Sequence, residues 1–369
     1  MFYSIGIDIA KDDFKSCILL YDPVEQTERV LASRTFKNTP KSIESFEQWV
    51  AKKVTKKPAP VRCTLEATGV YYEQVALHVY HKCPEWALSV VLPSQSRSFN
   101  QSEGFKNKTD RIDAHGLALM GARKKLKLWR GIKPFWSNLR QLTRTRSSLV
   151  DQLTQLKNQL HALKHSGYAV DSTISIIEET IANLQCQVDK LEALIEEHLK
   201  SDPSIQHKIG HLNSIPSVGI LTIGTILAET LGFEYFTSKN QLISYAGYDV
   251  RVKESGKYKG RPKLSKMGNA RIRKAMYMPA SCILLKKLYP YYGYYNRLLS
   301  RHGIKMKAHV AVQKKLLACM YFLWKNNEAF DSAKALMAPT YKKTAPFIGE
   351  AAVDTSAPEY ETVFFVEEN

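Results

Sequence analysis

The sequence opens with three apolar runs in close succession, and their spacing limits the fold more than any other feature. The runs cover residues 3–10, 14–21 and 28–36, and short polar turns separate them. Apolar runs of this length between turn residues predict β-strands. Three strands in such quick succession predict a meander.

Helix and strand patterns alternate after the meander. Apolar residues recur with helical spacing at Ile43, Phe46 and Val50. The order continues with a helix over 41–53, a strand over 61–66, a helix from Thr68-Gly69 to about His81, and a strand over 86–92 that Pro93 stops. With a further helical turn in residues 107–114, the order becomes β-β-β-α-β-α-β-α. This is the order of an RNase H-like α/β sheet, and the fold prediction rests on that analogy.

Four carboxylates occupy positions from which they can converge. Asp8 ends the first predicted strand and Glu66 ends the fourth, so both side chains project where a strand stops. Asp110 and Asp113 are three residues apart, which places them on one face of a helix. Converging carboxylates need cations between them, and such hard oxygen ligands suit Mg²⁺ or Mn²⁺. Two ions about 3.5–4 Å apart clamp the attacking and leaving oxygens of a phosphodiester. For any single acid the alternative is a solvated charge or a helix cap.

The charge balance indicates a polyanionic partner. The chain of 369 residues has a formal net charge of +18, and residues 1–344 carry +24 because the last 25 residues contain six acids and no Lys or Arg. Nucleic acid is the default partner for such a chain. Six cysteines without a C-x-x-C pair argue against zinc and disulfides and predict reduced core thiols. No signal peptide or membrane-spanning run is visible, which predicts a soluble cytoplasmic protein.

Two heptad patterns predict long helices between about Trp129 and Lys200. Leucines from Leu149 to Leu163 and apolar residues from Ile177 to Ile195 follow alternating steps of three and four. The Ser166-Gly167-Tyr168 interval favours an αα-hairpin with a role in self-association, and continuous dimeric helices are the alternative. Lys157, Lys164, Arg140, Arg144 and Arg146 could then contact a partner or form plain solvated faces.

A new domain begins at Asp202-Pro203. The segment Pro216-Ser217-Val218-Gly219, followed by an apolar helix to Leu231, resembles a helix-hairpin-helix turn, which aims backbone N–H groups at a phosphate. Ser217 stands where the commonest version has glycine. An ordinary tight helix–helix turn is the alternative.

The most basic stretch runs from Arg251 to Lys274, with ten Lys or Arg against one acid. Its glycines and proline predict a loop for most of its length, ahead of a helix that Asn269 caps. Such a loop suits phosphate binding, and Ser255 is an exposed hydroxyl between cations. On local chemistry alone, a phosphate contact is a commoner role for this serine than that of a nucleophile. The predicted nucleic-acid ligands are Lys253, Lys257, Lys259, Arg261, Lys263, Lys266, Asn269, Arg271 and Arg273.

Several blocks together resemble the DEDD-type transposases of bacterial insertion sequences, the one-ten family, which includes Piv-like DNA invertases. The blocks are Gly6-Ile7-Asp8-Ile9-Ala10-Lys11, Leu65-Glu66-Ala67-Thr68-Gly69, Lys108-Thr109-Asp110-Arg111-Ile112-Asp113-Ala114, Ser255-Gly256-Lys257, Leu264-Ser265-Lys266-Met267-Gly268-Asn269 and Arg271-Ile272-Arg273-Lys274. The resemblance covers about residues 4–330.

The resemblance implies a RuvC-like catalytic domain, a coiled coil and a mainly helical transposase domain. These correspond to residues 1–128, 129–200 and 201–332, with an acidic mobile tail over 333–369. By motif, Asp8, Glu66, Asp110 and Asp113 would hold Mg²⁺, and Ser255 would form a covalent phosphoserine link to DNA. Similar proteins use a structured bridge RNA that pairs with donor and target DNA. Because Ser255 and the acids lie in different domains, we expect a dimer or tetramer whose working site combines two protomers. A hydrolytic RuvC-like nuclease and a non-enzymatic RNA-binding module are the rival predictions.

Overall fold

The computed structural model describes residues 1–54, 60–107, 109–252, 254–256, 258–260 and 262–333. The chain divides into two compact units, the first ending at Lys133 and the second beginning at Pro134. The first unit extends beyond the predicted limit at residue 128 because the Trp129 backbone N–H donates to the Leu88 carbonyl at 2.8 Å. Apart from residue 333, the predicted acidic tail lies outside the described residues.

The first unit is built on a five-stranded mixed sheet. Strands β1 (Phe2–Ile9), β2 (Asp13–Asp22) and β3 (Thr27–Lys37) form the predicted antiparallel meander, and β4 (Val61–Glu66) and β5 (Trp86–Val91) run parallel to β1. The spatial order is β3-β2-β1-β4-β5. The α/β class expected from the sequence is therefore found, and the sheet is mixed.

Helices cover both faces of this sheet. Helices α1 (Pro40–Lys53) and α2 (Tyr72–Lys82) pack on one face, where Ile5, Ile7 and Leu65 are completely buried. Helices α3 (Pro93–Ser102) and α4 (Asp110–Arg123) lie on the other face. The pattern predicted α2 to begin at Thr68-Gly69, but Gly69 has a φ of +58°, which a right-handed helix excludes. Helix α3 was not predicted.

The second unit is mainly helical. Its helices are α5 (Pro134–Lys164), α6 (Asp171–Lys200), α7 (Pro203–Asn213), α8 (Ile220–Thr230), α9 (Lys239–Ala246), α10 (Ala270–Leu285), α11 (Tyr291–His302) and α12 (Lys305–Asn326). The basic stretch contains four two-residue strands: β6 (Val250–Arg251), β7 (Glu254–Ser255), β8 (Tyr258–Lys259) and β9 (Lys263–Leu264).

Helices α5 and α6 pack against each other as an antiparallel hairpin. Their ion pairs, Arg146 to Glu192 and Lys164 to Glu178, both measure 2.6 Å, and their spacing along the two helices fixes opposite directions. Both helices also contact α8. The coiled-coil assignment and a role of this hairpin in self-association stay predictions.

The prediction for the cysteines agrees with the structure only in part. All six cysteines are free, but only Cys17, Cys63 and Cys83 are buried, and Cys186 is exposed, so the prediction of core thiols was wrong at Cys186. No helix within the described residues has both the length and the apolar character needed to cross a membrane.

Candidate active site and nucleic-acid interface

Asp8 and Glu66 stand side by side at the carboxyl ends of two parallel strands. Ile7 of β1 pairs with Leu65 of β4, and each acid is the next residue of its strand. Neighbouring strands lie about 4.8 Å apart. Alternation along β1 places Asp8 on the face of Ser4 and Gly6, which is the face that α4 covers. Both carboxylates therefore lie at one edge of the sheet.

Helix α4 brings the other two acids towards this edge. A Cβ on Gly6 would lie 2.1 Å from the Ala114 carbonyl oxygen and 2.2 Å from the Ala118 nitrogen, so strand and helix backbones touch. The Ser4 hydroxyl donates to the Ala118 carbonyl at 2.6 Å. The helix thus runs opposite to β1, and its first turn, with Asp110 and Asp113, points towards the end of β1 at Asp8.

Helix α3 holds two of the acids through side chains that sequence reasoning missed. Ser96 donates a short hydrogen bond to the Glu66 carboxylate, and Thr68 donates to its other oxygen at 3.4 Å. The Asn100 amide donates to Asp113 Oδ1 at 3.2 Å. Pro93 at the first helical position, with the Gln95 side chain accepting from the Leu92 backbone N–H at 3.1 Å, was the available signal for this helix.

Ser255 lies in a β-hairpin of the second unit. It pairs with Tyr258 across β7 and β8, and Gly256 at the turn has a φ of +54°. The serine is exposed, and no described side chain forms a hydrogen bond with its hydroxyl. Ser255 is therefore open to an approaching molecule. The segment predicted as a loop is folded back on itself through β6 and β9.

The predicted nucleic-acid ligands have different environments. Lys263, Lys266 and Arg271 are exposed, whereas the Arg273 guanidinium donates to the Ala246 carbonyl at 2.7 Å. The side-chain oxygen Oδ1 of Asn269 accepts from the backbone N–H groups of residues 271 and 272, as predicted for the helix cap. Outside the described residues or side chains lie Lys253, Lys257, Lys259 and Arg261.

Comparison with known proteins identifies the family. A family model described as "Transposase", of the DEDD type, matches residues 5–168, and a second, described as "Transposase IS116/IS110/IS902 family", matches residues 210–296. Two models from the same group of enzymes thus match in sequence order and cover both units. The chain belongs to the IS110 family of transposases.

Curated relatives extend the match along the transposase. Pilin gene-inverting proteins of Moraxella bovis and Moraxella lacunata are each 26% identical over 331 residues, covering 89% of the transposase and 97% of the relative. Among solved structures, Thermus thermophilus RuvC aligns with 35% of the transposase and 100% of its own chain, at 12% identity and a TM-score of 0.27. The fowlpox virus resolvase bound to Holliday junction DNA aligns with 34% and 100%, at 17% identity and a TM-score of 0.23.

The edge of the sheet that carries Asp8 and Glu66, which we call the acid edge, has the chemistry to bind a divalent cation. All four predicted ligands are carboxylates, the donor type that Mg²⁺ prefers. Glu66 and Asp113 are oriented by neighbouring donors, as ligating carboxylates commonly are. Within the described ranges, however, no three His, Cys, Asp or Glu side chains already form a group that could hold a metal. The metal ligands Asp8, Glu66, Asp110 and Asp113 therefore stay a prediction.

A buried acid anchors the basic end of the transposase's second unit. The Glu229 side chain is 1% exposed and accepts from Arg144 Nε at 2.8 Å and Nη2 at 3.0 Å. The Asn269 amide donates to the same carboxylate at 2.7 Å. Burial alone raises the pKa of Glu229, but the bonds from Arg144 and Asn269 and the charges of Arg144 and Arg140 outweigh it, so the pKa is lowered. Glu229 is therefore an ionised carboxylate that ties α5 and α8 to the start of α10.

A groove of about 580 Å³ lies beside this anchor. It is lined by residues of α5, α8 and α10, including Arg146, Arg271 and Lys274. Gly219 and the first residues of α8, which belong to the predicted helix-hairpin-helix turn, also line it. Lys274 forms an ion pair with Asp151 at 2.5 Å, and Arg146 is paired with α6, while Arg271 has no ion pair within the described part of the chain.

Proposed function

We propose that this transposase cuts and rejoins DNA by site-specific recombination, with a serine nucleophile and a carboxylate-held metal. The convergence of β1, β4 and α4 on one edge carries the proposal, because it brings the backbone positions of four motif acids to the same end of the first unit. The full-length relatives are named for gene inversion, and inversion of DNA requires both cutting and rejoining of strands.

The proposed step conserves the energy of the phosphodiester. The Ser255 oxygen attacks phosphorus, one P–O bond forms and the bond to the leaving strand oxygen breaks. The serine proton goes to solvent and the leaving oxygen takes up a proton. A second strand hydroxyl then displaces the serine by the reverse exchange. When bound, Mg²⁺ would stabilise the negative charge that develops on the phosphate. Asp8, Glu66, Asp110 and Asp113 would hold it, and Ser96 and Asn100 would orient two of these ligands.

Specificity in this proposal comes from a bridge RNA. The family resemblance supplies this partner, and the exposed cations Lys263, Lys266 and Arg271 suit contacts with nucleic-acid phosphates. Base pairing would select donor and target DNA while the protein binds backbone and shape. Self-association is proposed through the α5–α6 hairpin, where Ile176 and Leu194 are 64% and 47% exposed.

Covalent trapping on DNA tests the serine. A stalled reaction digested with protease should leave a peptide on a DNA end in the parent protein, and Ser255→Ala should abolish that adduct. Ser300→Ala, which changes an exposed serine of the same unit, is the matched control. Free DNA ends in the parent would indicate hydrolysis by water, the rival function.

Replacing one of the four acids tests the proposed metal role. Asp110→Asn should reduce strand cleavage by at least about 100-fold, in line with the loss of a charge-stabilising group in a transition state. Asp12→Asn removes an exposed carboxylate near the same strand and should leave cleavage unchanged. Cleavage by Asp110→Asn at the parental rate would exclude the proposed metal role.

A further inference from the structure

The first unit contains a small basic cavity that the proposed chemistry does not use. Its volume is about 190 Å³, and it lies where β4 and β5 meet the end of α4. Arg62 and Thr64 of β4, Ser89 of β5, Gly121 of α4 and the following Lys124 and Lys125 line it together with apolar side chains. None of the four motif acids, and no other carboxylate, is part of its lining.

Two hydroxyls of the cavity wall form no hydrogen bond with a described residue. Thr64 is 1% exposed and Ser89 is 4% exposed, and no hydrogen bond of either side chain occurs within the residues that the structure describes. A Cβ on Gly121 would lie 2.2 Å from Thr64 Oγ1, so glycine leaves room for this hydroxyl at the cavity wall. Neither oxygen is among the enclosed polar atoms that lack a partner, so both hydroxyls open into the cavity. Both can therefore donate a hydrogen bond to a ligand bound there.

The charge of the cavity selects an anion. The Arg62 guanidinium lies 4.2 Å from the centre of the Phe2 ring and donates to the Gly121 and Ala122 carbonyls at 3.2 Å. These contacts fix its orientation and satisfy carbonyls at the negative end of α4. Lys124 and Lys125 are exposed and form no ion pair within the described ranges. Their positive charge is therefore available to a bound anion.

We propose that this cavity binds a phosphate group carried by a nucleic-acid strand. Three cations and two hydroxyl donors match the charge and the several acceptor oxygens of a phosphate. Thr64 precedes Glu66 by two residues of one strand, so the cavity wall lies about 7 Å along β4 from the acid edge. The rest of the lining, including Arg62, Lys124 and Lys125, lies towards the end of α4 opposite Asp110, so the cavity is separate from the acid edge. The choice of nucleic acid as the phosphate source rests on the proposed function, whereas the phosphate site itself does not.

Two isosteric variants separate a ligand site from a structural cavity. In Thr64→Val and Ser89→Ala the free protein should melt at about the same temperature, because neither change removes a hydrogen bond to a described residue. The same variants should bind phosphate about tenfold more weakly per hydroxyl, the usual effect of losing a hydrogen bond to a charged group. A purely structural role would instead lower the melting temperature.

The experiment uses the full chain without divalent ions, so that DNA cleavage does not affect the result. Inorganic phosphate is titrated while the melting temperature is measured, and a labelled single-stranded oligonucleotide is titrated at constant ionic strength. The Lys124→Gln/Lys125→Gln double variant is compared with Lys52→Gln/Lys53→Gln, which removes two exposed lysines at the end of α1. The phosphate-induced shift in melting temperature and the affinity for the oligonucleotide should both fall in the cavity variants and not in the control.

The two measurements distinguish the phosphate sources. Loss of oligonucleotide affinity together with loss of the phosphate shift supports a strand-borne phosphate, and loss of the phosphate shift alone assigns the cavity to free phosphate. An equal response of parent, cavity variants and control would overturn the proposal and leave a water-filled cavity. Because catalysis is not measured, failure here is distinct from failure of Ser255→Ala to abolish the DNA adduct.

Discussion

Removing the arginine that neutralises Glu229 should destabilise the second unit severely. The carboxylate is buried, and Arg144 holds it through two nearly parallel hydrogen bonds of 2.8 and 3.0 Å. Arg144→Met leaves this charge in place with only the Asn269 amide and the more distant Arg140 to compensate it. Breaking a buried pair by removing one partner costs about 3–5 kcal/mol. Because the Arg144 side chain is 37% exposed, we expect the lower end of that range.

The expected loss is large enough to measure in a thermal scan. For a unit of this size, about 1 kcal/mol corresponds to roughly 2–4 °C in melting temperature, so Arg144→Met should lower the transition by about 6–12 °C. Trp136 and Trp324 are buried in this unit, so the tryptophan fluorescence of the full chain changes when the unit unfolds. Replacing both partners, Arg144→Met with Glu229→Met, should restore most of the loss because no buried charge remains.

Acidification should reduce the stability that Arg144→Met loses. In the parent the folded pKa of Glu229 lies below its ordinary value of 4.5, so its contribution is present above pH 4.5 and is lost as the pH falls. Without Arg144, burial dominates and raises the folded pKa above the unfolded one. The folded state then binds more protons, and the cost of Arg144→Met should shrink between pH 7 and pH 5. A loss below about 1 kcal/mol, or one that does not shrink on acidification, would refute this reasoning.

Three further outcomes follow from single contacts. Gly6→Ala should unfold the first unit or lower its free energy of unfolding by about 3 kcal/mol or more, because the new methyl meets the Ala114 carbonyl oxygen at 2.1 Å. Thermal melting followed by circular dichroism measures this loss, and an unaffected melting curve would contradict the contact. Ser217 has a φ of +65°, so Ser217→Gly should raise the melting temperature by about 1–4 °C relative to Ser217→Ala, and equal values would exclude strain there. Burial lowers the pKa of His309, whose Nδ1 accepts from the Gln313 amide at 2.9 Å, so the free energy of unfolding should fall as the pH drops below 6.5. His309→Asn should weaken that dependence, which denaturant titrations at pH 7.5 and 5.5 measure.

Local patterns predicted most elements of the first unit. The three early strands and β4 agree with the structure because apolar alternation records which face is buried. Asn269 was recognised as a helix cap because its interactions are local. Helix α3 was not predicted because its sequence is mostly polar between Pro93 and Phe99 and so lacks a clear apolar period.

Contacts between distant parts of the chain were not predictable. Arg144 and Glu229 are 85 positions apart, and the helical pattern around Arg144 is compatible with an ordinary solvated face. Asn100 and Asp113 meet because a connection between two helices turns back, which no periodicity records. The sequence motifs predicted the four acids, but the side chains that orient Glu66 and Asp113 become visible only in the folded unit.

The smallest side chains of the first unit determine where its most charged ones stand. Ser4, Gly6, Ala114, Ala118 and Gly121 let a strand and a helix touch backbone to backbone, leaving no intervening layer that could be repacked. Engineering for thermal tolerance usually enlarges interior residues, and along this contact that strategy would push the acids away from the sheet. Room for improvement lies elsewhere in the molecule, at surface turns and helix ends.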